Sequence, residues 1–266
     1  MLAPRTLPDE YARWNARWGA PSGYRTPIRA VLNRTPVLGG LLRRRPNFRG
    51  PFGHQVNNDT RAFEYPWSFF ATPLERGMRS LDIGGSLAGF QFVLDRTGLE
   101  SHNCDPGEAA HGVGWTVTPA AIDRLNRAFG TSVELHNCFL QDAKFPDATF
   151  DRVFSVSTIE HIPPSEIPGM MKEIARILRP GGMFVATVDL FLDLHPFTDR
   201  RENRFGTNID IRALCESSGL RRVVGDAASL FGFPEFNARS VQARLDELLV
   251  GRGYPVLVQC IVLKKE

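Results

Sequence analysis

The residues able to do chemistry follow short apolar runs. In Leu81-Asp82-Ile83-Gly84-Gly85-Ser86-Leu87-Ala88-Gly89, glycines come directly after such a run. Glycine there lets the backbone turn tightly and approach a ligand closely. The turn is not a full G-x-G-x-x-G pattern. Asp105 stands 21 residues after Gly84, a separation that suits hydrogen bonding to ribose hydroxyls. Three further side chains could handle a proton or an acceptor. His161 and His195 are of the type that changes charge near neutral pH, as a general base must. Asp189 could orient an acceptor. No spacing among these three demands a metal, and none is expected. Tyr65 and Trp67, in Glu64-Tyr65-Pro66-Trp67, offer aromatic faces to an acceptor and suit a hydrophobic core equally well.

Elements must position these groups. Residues 78–83, 100–104, 133–136, 152–157 and 183–188 read as strands, and 220–224 and 256–263 as the last two. Helices fit 87–97, 119–129, 165–179 and 210–218, the second opened by Thr118-Pro119 and closed by Gly130. A long insert at 225–254 holds a helix near 241–250. Alternation at this spacing predicts an α/β, Rossmann-like, mostly parallel sheet with helices on both faces. Such sheets bind ligands at the carboxyl ends of their strands. Asp82–Gly89, Asp105, Asp142, Ser157–His161 and the segment Asp189–His195 should therefore share one rim. Residues 1–75 read as an N-terminal extension that packs on a core domain, 76–266.

Composition bounds the rest. Of 266 residues, 42% are hydrophobic and 23% charged, which excludes disorder throughout. No apolar run approaches the ~18 residues of a membrane span. No apolar signal core opens the chain. Cys104, Cys138, Cys215 and Cys260 form no C-x-x-C pair, which suggests a reducing compartment and a cytoplasmic location. The net charge of +3 divides unevenly, with +8 in residues 1–50 and −5 in the remainder. All ten arm cations are arginine, as are 28 of the chain's 32 basic residues, so arginine is a general bias here. With Trp14, Trp18, Tyr24 and Phe48 interspersed, the arm is expected to wrap the acidic body, cap the acceptor pocket or join a neighbouring subunit. A homodimer is thus left open.

Several segments appear in a familiar order: Arg79–Gly89, Asp105, Leu140-Gln141-Asp142-Ala143, residues 150–157, Ile159-Glu160-His161-Ile162 and Leu178-Arg179-Pro180-Gly181-Gly182. Together they resemble a class I S-adenosylmethionine-dependent methyltransferase of the methyltransferase type 11 kind, in the group that includes ubiquinone-biosynthesis enzymes. The resemblance covers residues 78–190 well and the last seventy loosely. It implies a seven-stranded sheet with an antiparallel last strand, and S-adenosyl-L-methionine as cofactor. It implies that the turn at Asp82, Gly84, Gly85 and Ser86 holds the methionine part and that Asp105 holds the ribose. Asp142 and Ala143 would meet the adenine edge, and Ser157 and Thr158 the methionine end. Trp115 and residues 107–114 could form a flap over the adenine. Ser86 and Ala88 stand where the family usually has glycine, so this turn is bulkier than usual.

The function so implied is methyl transfer to a hydroxyl or amine of a small molecule, by in-line displacement at an already activated sulfonium methyl. A sugar or sugar-bearing natural product is one acceptor class. A nicotinamide-dependent oxidoreductase on a related sheet is the alternative, although no Tyr-x-x-x-Lys pair is present. A nucleic-acid-directed methyltransferase using the basic arm is another, although the Asn/Asp-Pro-Pro-Tyr/Phe motif is absent. The expected partner is a small-molecule acceptor, with neither membrane nor nucleic acid favoured.

Overall fold

A computed structural model describes residues 1–24, 46–109 and 117–266. The expected flap residue Trp115 lies outside the described residues, as does most of the 107–114 stretch.

Seven strands form one sheet: β1 (Arg79–Ile83), β2 (Glu100–Cys104), β3 (Glu134–His136), β4 (Phe150–Val156), β5 (Leu178–Phe191), β6 (Arg221–Val224) and β7 (Val256–Lys264). Their order is β3-β2-β1-β4-β5-β7-β6. The first five run parallel, while β7 is antiparallel to both β5 and β6. The order reverses between β1 and β4, and ligands of open α/β sheets bind at such a switch.

The helices follow from caps and apolar faces. α1 spans Asp9–Trp18, α2 Arg61–Phe70, α3 Gly89–Arg96, α4 Pro119–Phe129, α5 Ile167–Ile177 and α6 Ile211–Ser218. Thr118 caps α4 by accepting from Ala121 N, with Pro at the first position and a left-handed Gly130 at the end. Asp210 caps α6 through Ala213 N. In α5, Ile167, Met170, Met171, Ile174 and Ile177 are buried in the core formed with β1, β4 and β5.

Two boundaries differ from the sequence expectation for a physical reason. β5 begins before 183–188, where Leu178 pairs with Phe150 of β4, and ends after it, because β7 runs beside it from Met183↔Lys264 to Phe191↔Val256. Pro180-Gly181-Gly182 stops the helix without stopping the ladder: Gly181 N donates to Lys265 O and Lys265 N to Gly182 O. The helix expected near 241–250 is short and earlier, Ala238–Gln242, because Asn237 caps it through Ser240 N.

The N-terminal residues lie against the body. Leu2 bridges antiparallel to Gln259, and Ala3 N donates to Val258 O. Trp14 and Trp18 share a buried cluster with Phe52, Phe63, Phe90, Phe154 and Val258. α2 contains Pro66, which has no N–H to donate to the carbonyl four residues back. That carbonyl, Ala62 O, instead accepts from Asn15 Nδ2 of α1 at 2.7 Å. The aromatic run around Pro66 is thus a helix, completed by a side chain from the preceding one.

Candidate active site

β1 ends at Ile83, and the chain turns through Gly84 with φ +71°. A Cβ at Gly84 would lie 2.3 Å from Thr158 Cγ2, and one at Gly85 would lie 2.7 Å from Asp82 Oδ2. Glycine is therefore dictated at both positions by close approach. Ser86 occupies the left-handed region with φ +43°, where a side chain costs energy. Hydrogen bonds hold it there. Its N–H donates to Asp105 Oδ2 at 2.9 Å. Its carbonyl accepts from Gln91 Nε2 and Asn103 Nδ2, both at 2.9 Å. Gly89, at the start of α3, has a different duty. A Cβ there would collide with Phe52 and the backbone of Pro51, so this glycine admits the N-terminal segment.

One cavity joins the loops at the carboxyl ends of β1, β2 and β4. Its walls include Asp82, Gly84, Gly85, Ser86, Asp105, Ser157, Thr158, His161 and Tyr65. Two carboxylates face it. Burial, then repulsion from Asp105, lifts Asp82 to about 8. Burial also raises Asp105, against the N–H groups of Gly107 and Ser86 that stabilise its charge. The Ser86 hydroxyl is buried without a hydrogen-bond partner. A ligand bearing a cation and several hydroxyls would satisfy all three groups.

Asp142 and Ala143 do not line this cavity; Phe139, Leu140 and Gln141 do. The tight Leu140–Asp142 turn leaves Asp142 exposed, while Ala143 packs on the core. Trp67 does not line it either, being 5% exposed within the aromatic cluster. Tyr65 does, and its hydroxyl donates to Asn57 Oδ1 at 3.1 Å.

The three candidates for acid–base work separate. His161 is on the cavity wall. Its Nδ1 bonds the Phe205 carbonyl, which can only accept, so the proton sits on Nδ1 and Nε2 keeps a lone pair. Burial lowers its pKa, keeping the ring neutral near pH 7. Phe205 belongs to a small hairpin, Glu202–Asn203 paired with Gly206–Thr207. A Cβ on Gly206 would lie 1.9 Å from Glu160 O, so glycine lets this hairpin press on His161. His195, expected on the same rim, is exposed and meets Phe231 edge-on, away from the cavity wall. Asp189, expected in a loop, is fully buried inside the extended β5 and accepts from Tyr254 OH at 3.0 Å.

Behind His161 lies a network that sequence reasoning missed. Arg61 Nη1 pairs with Glu64 Oε1 at 2.6 Å, and Glu64 Oε2 accepts from Thr187 Oγ1 at 2.7 Å. Ser157 Oγ donates to Glu160 Oε1 at 2.5 Å. Glu64, Glu160 and Asp189 are all essentially buried. Burial raises Glu160 to about 7. Burial, then Glu160 and Glu64, raises Asp189 well above the usual carboxylate range. Burial disfavours the charge on Arg61, but Glu64 and Asp189 outweigh it and raise its pKa. Glu160 Oε2 and Asp189 Oδ1 have no hydrogen-bond partner. The one sequence signal was Arg61-x-x-Glu64, an i,i+3 pair legible only once that stretch is known to be helical.

Comparison with known proteins matches this geometry. A family described as "Methyltransferase domain" matches residues 97–182. The chain is similar to sterol 24-C-methyltransferase ERG6B of Gibberella zeae, 26% identical over 52% of this chain and 34% of that one. It is also similar to phosphoethanolamine N-methyltransferase 2 of Caenorhabditis elegans, 26% identical over 65% of this chain and 36% of that one. The chain thus matches about a third of the length of these curated relatives. Among solved structures, the [4+2]-cyclase SpnF superposes with a TM-score of 0.56 at 16% identity, covering 88% of this chain and 95% of that one. No helix among the described residues is long and apolar enough to cross a membrane. The match to a methyltransferase-domain family over residues 97–182, the strand order and the cavity at its switch support a class I S-adenosylmethionine-dependent methyltransferase fold.

Proposed function

We propose that this protein transfers the methyl group of S-adenosyl-L-methionine to a small-molecule acceptor, with His161 as the base. One observation carries the reading: the glycine turn, Asp105 and His161 line a single cavity. In this reading the ribose hydroxyls donate to Asp105. Asp82 and the free Ser86 hydroxyl serve the ammonium and carboxylate of the methionine part. Phe139 and Leu140, rather than Asp142 and Ala143, flank the adenine. Ser157 and Thr158 close the methionine end.

The cofactor supplies an activated methyl, so this chain's task is to position the acceptor and take up its proton. In this reading His161 Nε2 accepts that proton, and the Phe205 carbonyl supports it by holding the proton on Nδ1. Beside it, Arg61 is paired with Glu64, and burial favours the neutral forms of Glu160 and Asp189, so that end of the site presents little net charge. Such surroundings support a neutral acceptor, amine or alcohol, over an anionic one. A sugar acceptor draws less support, because Trp67 is committed to the core. His195 and Asp189 do not reach the reacting atoms in this reading. An acceptor panel of amines and alcohols, assayed for transfer of a labelled methyl, tests it. Since the [4+2]-cyclase shows this fold carrying a different reaction, the readout is the methyl itself. Transfer of labelled methyl to an amine or an alcohol is expected; binding without transfer to either class would overturn it.

A further inference from the structure

A second cluster of chemistry-bearing side chains lies on β2 and β3, with no part in methyl transfer. The two strands pair in parallel, with His102 opposite Glu134 and Cys104 opposite His136. Side chains two apart share a face, so His102, Glu134 and His136 meet on one side of the sheet. His102 Nδ1 lies 3.1 Å from His136 Nε2. Glu134 Oε2 lies 3.5 Å from His102 Nδ1, and Oε1 3.6 Å from His136 Nε2. Ligand atoms ~2.0–2.1 Å from one tetrahedral ion are separated by roughly 3.3–3.4 Å, and these three spacings lie within about 0.3 Å of that value.

We infer that His102 Nδ1, His136 Nε2 and the Glu134 carboxylate form a site for a divalent transition metal of the zinc class, with a fourth position open to water. Two imidazoles and one carboxylate are a zinc-type donor set, while magnesium and calcium prefer oxygen alone. The outer groups fit as well. A histidine that ligates through Nδ1 should donate its Nε2–H to an acceptor. Glu100 Oε1 lies 3.4 Å from His102 Nε2 and is held by Arg79 Nε at 3.0 Å. His102 is 5% exposed, while Glu134 faces solvent and leaves an entry path.

The metal would pin the three-residue edge strand β3 to the sheet. It would also sit one hydrogen bond from the cofactor cavity, since Asp105 N donates to His136 O at 3.1 Å. The test is calorimetric titration of the untagged full chain with zinc chloride, and visible absorption with cobalt(II) in its place. One zinc per chain is expected, with cobalt bands of a four-coordinate nitrogen-ligated ion. Glu134→Gln and His136→Gln should each weaken zinc at least about tenfold, and Glu100→Ala should weaken it roughly 10–100-fold through the outer shell. Glu134 is exposed, so Glu134→Gln stays informative even if His136→Gln fails to fold. No saturable zinc binding, or binding unchanged in Glu134→Gln and Glu100→Ala, would overturn the inference.

Discussion

Replacing Gly84 by alanine tests whether the β1 turn and the β4 loop touch as described. The added methyl would arrive 2.3 Å from Thr158 Cγ2, 2.6 Å from its Oγ1 and 3.0 Å from its Cβ. Thr158 is short and β-branched, so it cannot swing aside as a long side chain would. Two costs arise. Holding alanine at φ +71° costs about 1–2 kcal/mol. Crowding a packed contact costs about 1–3 kcal/mol more. Thr158→Ala removes the two nearest atoms and leaves the third, Cβ, at a tight 3.0 Å that a small shift can relieve. The double variant should therefore recover most of the crowding cost and keep the conformational one. Urea denaturation of wild type, both single variants and the double variant gives the coupling energy directly. We expect a coupling of about 1–3 kcal/mol, with S-adenosylhomocysteine affinity weakened in Gly84→Ala and partly restored in the pair. Strict additivity, within about 0.5 kcal/mol, would refute the close approach and with it the reason for glycine at this position.

Other consequences are open to measurement. Asp105→Ala should weaken S-adenosylhomocysteine by about 1–3 kcal/mol, or roughly 5–150-fold by calorimetry; unchanged affinity would remove Asp105 from the ribose site. Asp82 at about 8 and Glu160 at about 7 lie above their ordinary values of 3.8 and 4.5. The folded state therefore holds protons that the unfolded chain releases. Their contribution to stability is complete below about pH 4 and is lost as pH rises through 7 to 8. The urea midpoint should thus fall between pH 6 and 8.5, and Asp82→Asn with Glu160→Gln should flatten that fall. His161→Gln should slow turnover of any active acceptor by about 10²–10⁴-fold at unchanged cofactor affinity, while His195→Ala should alter neither. A His195 variant that alone loses turnover would return the base to that residue.

The order of strands and helices was legible because buried parallel strands read as apolar runs and the helices carry caps. The glycine turn and Asp105 were legible because their chemistry is local, a turn and an acid at a fixed separation. Asp189 and His195 were misplaced together. The Pro180-Gly181-Gly182 break suggested a short strand, but pairing with distant Val256–Lys264 carried β5 on to Phe191 and drew Asp189 inside. No local pattern reports a ladder formed by a partner some seventy residues away. The same holds for the Arg61–Glu64–Glu160–Asp189 network, whose members come from three separate segments. His161 has a type and place in the sequence that suit the proposed base. What favours it over His195 is its position on the cavity wall and the Phe205 carbonyl, from a hairpin with no apolar periodicity, hence no signal. Trp67 illustrates the reverse case: its residue type fits an acceptor and a core alike, and only packing decides.

The central claim is that the cavity at the β1–β4 switch is built for S-adenosylmethionine. Calorimetric titration of the purified chain with S-adenosylhomocysteine, beside NADH and NADPH under the same conditions, tests it most directly. The account predicts saturable binding of one S-adenosylhomocysteine per chain, a raised melting temperature and no response to either nicotinamide. Saturation by NADH or NADPH, or no heat and no thermal shift with S-adenosylhomocysteine, would contradict it.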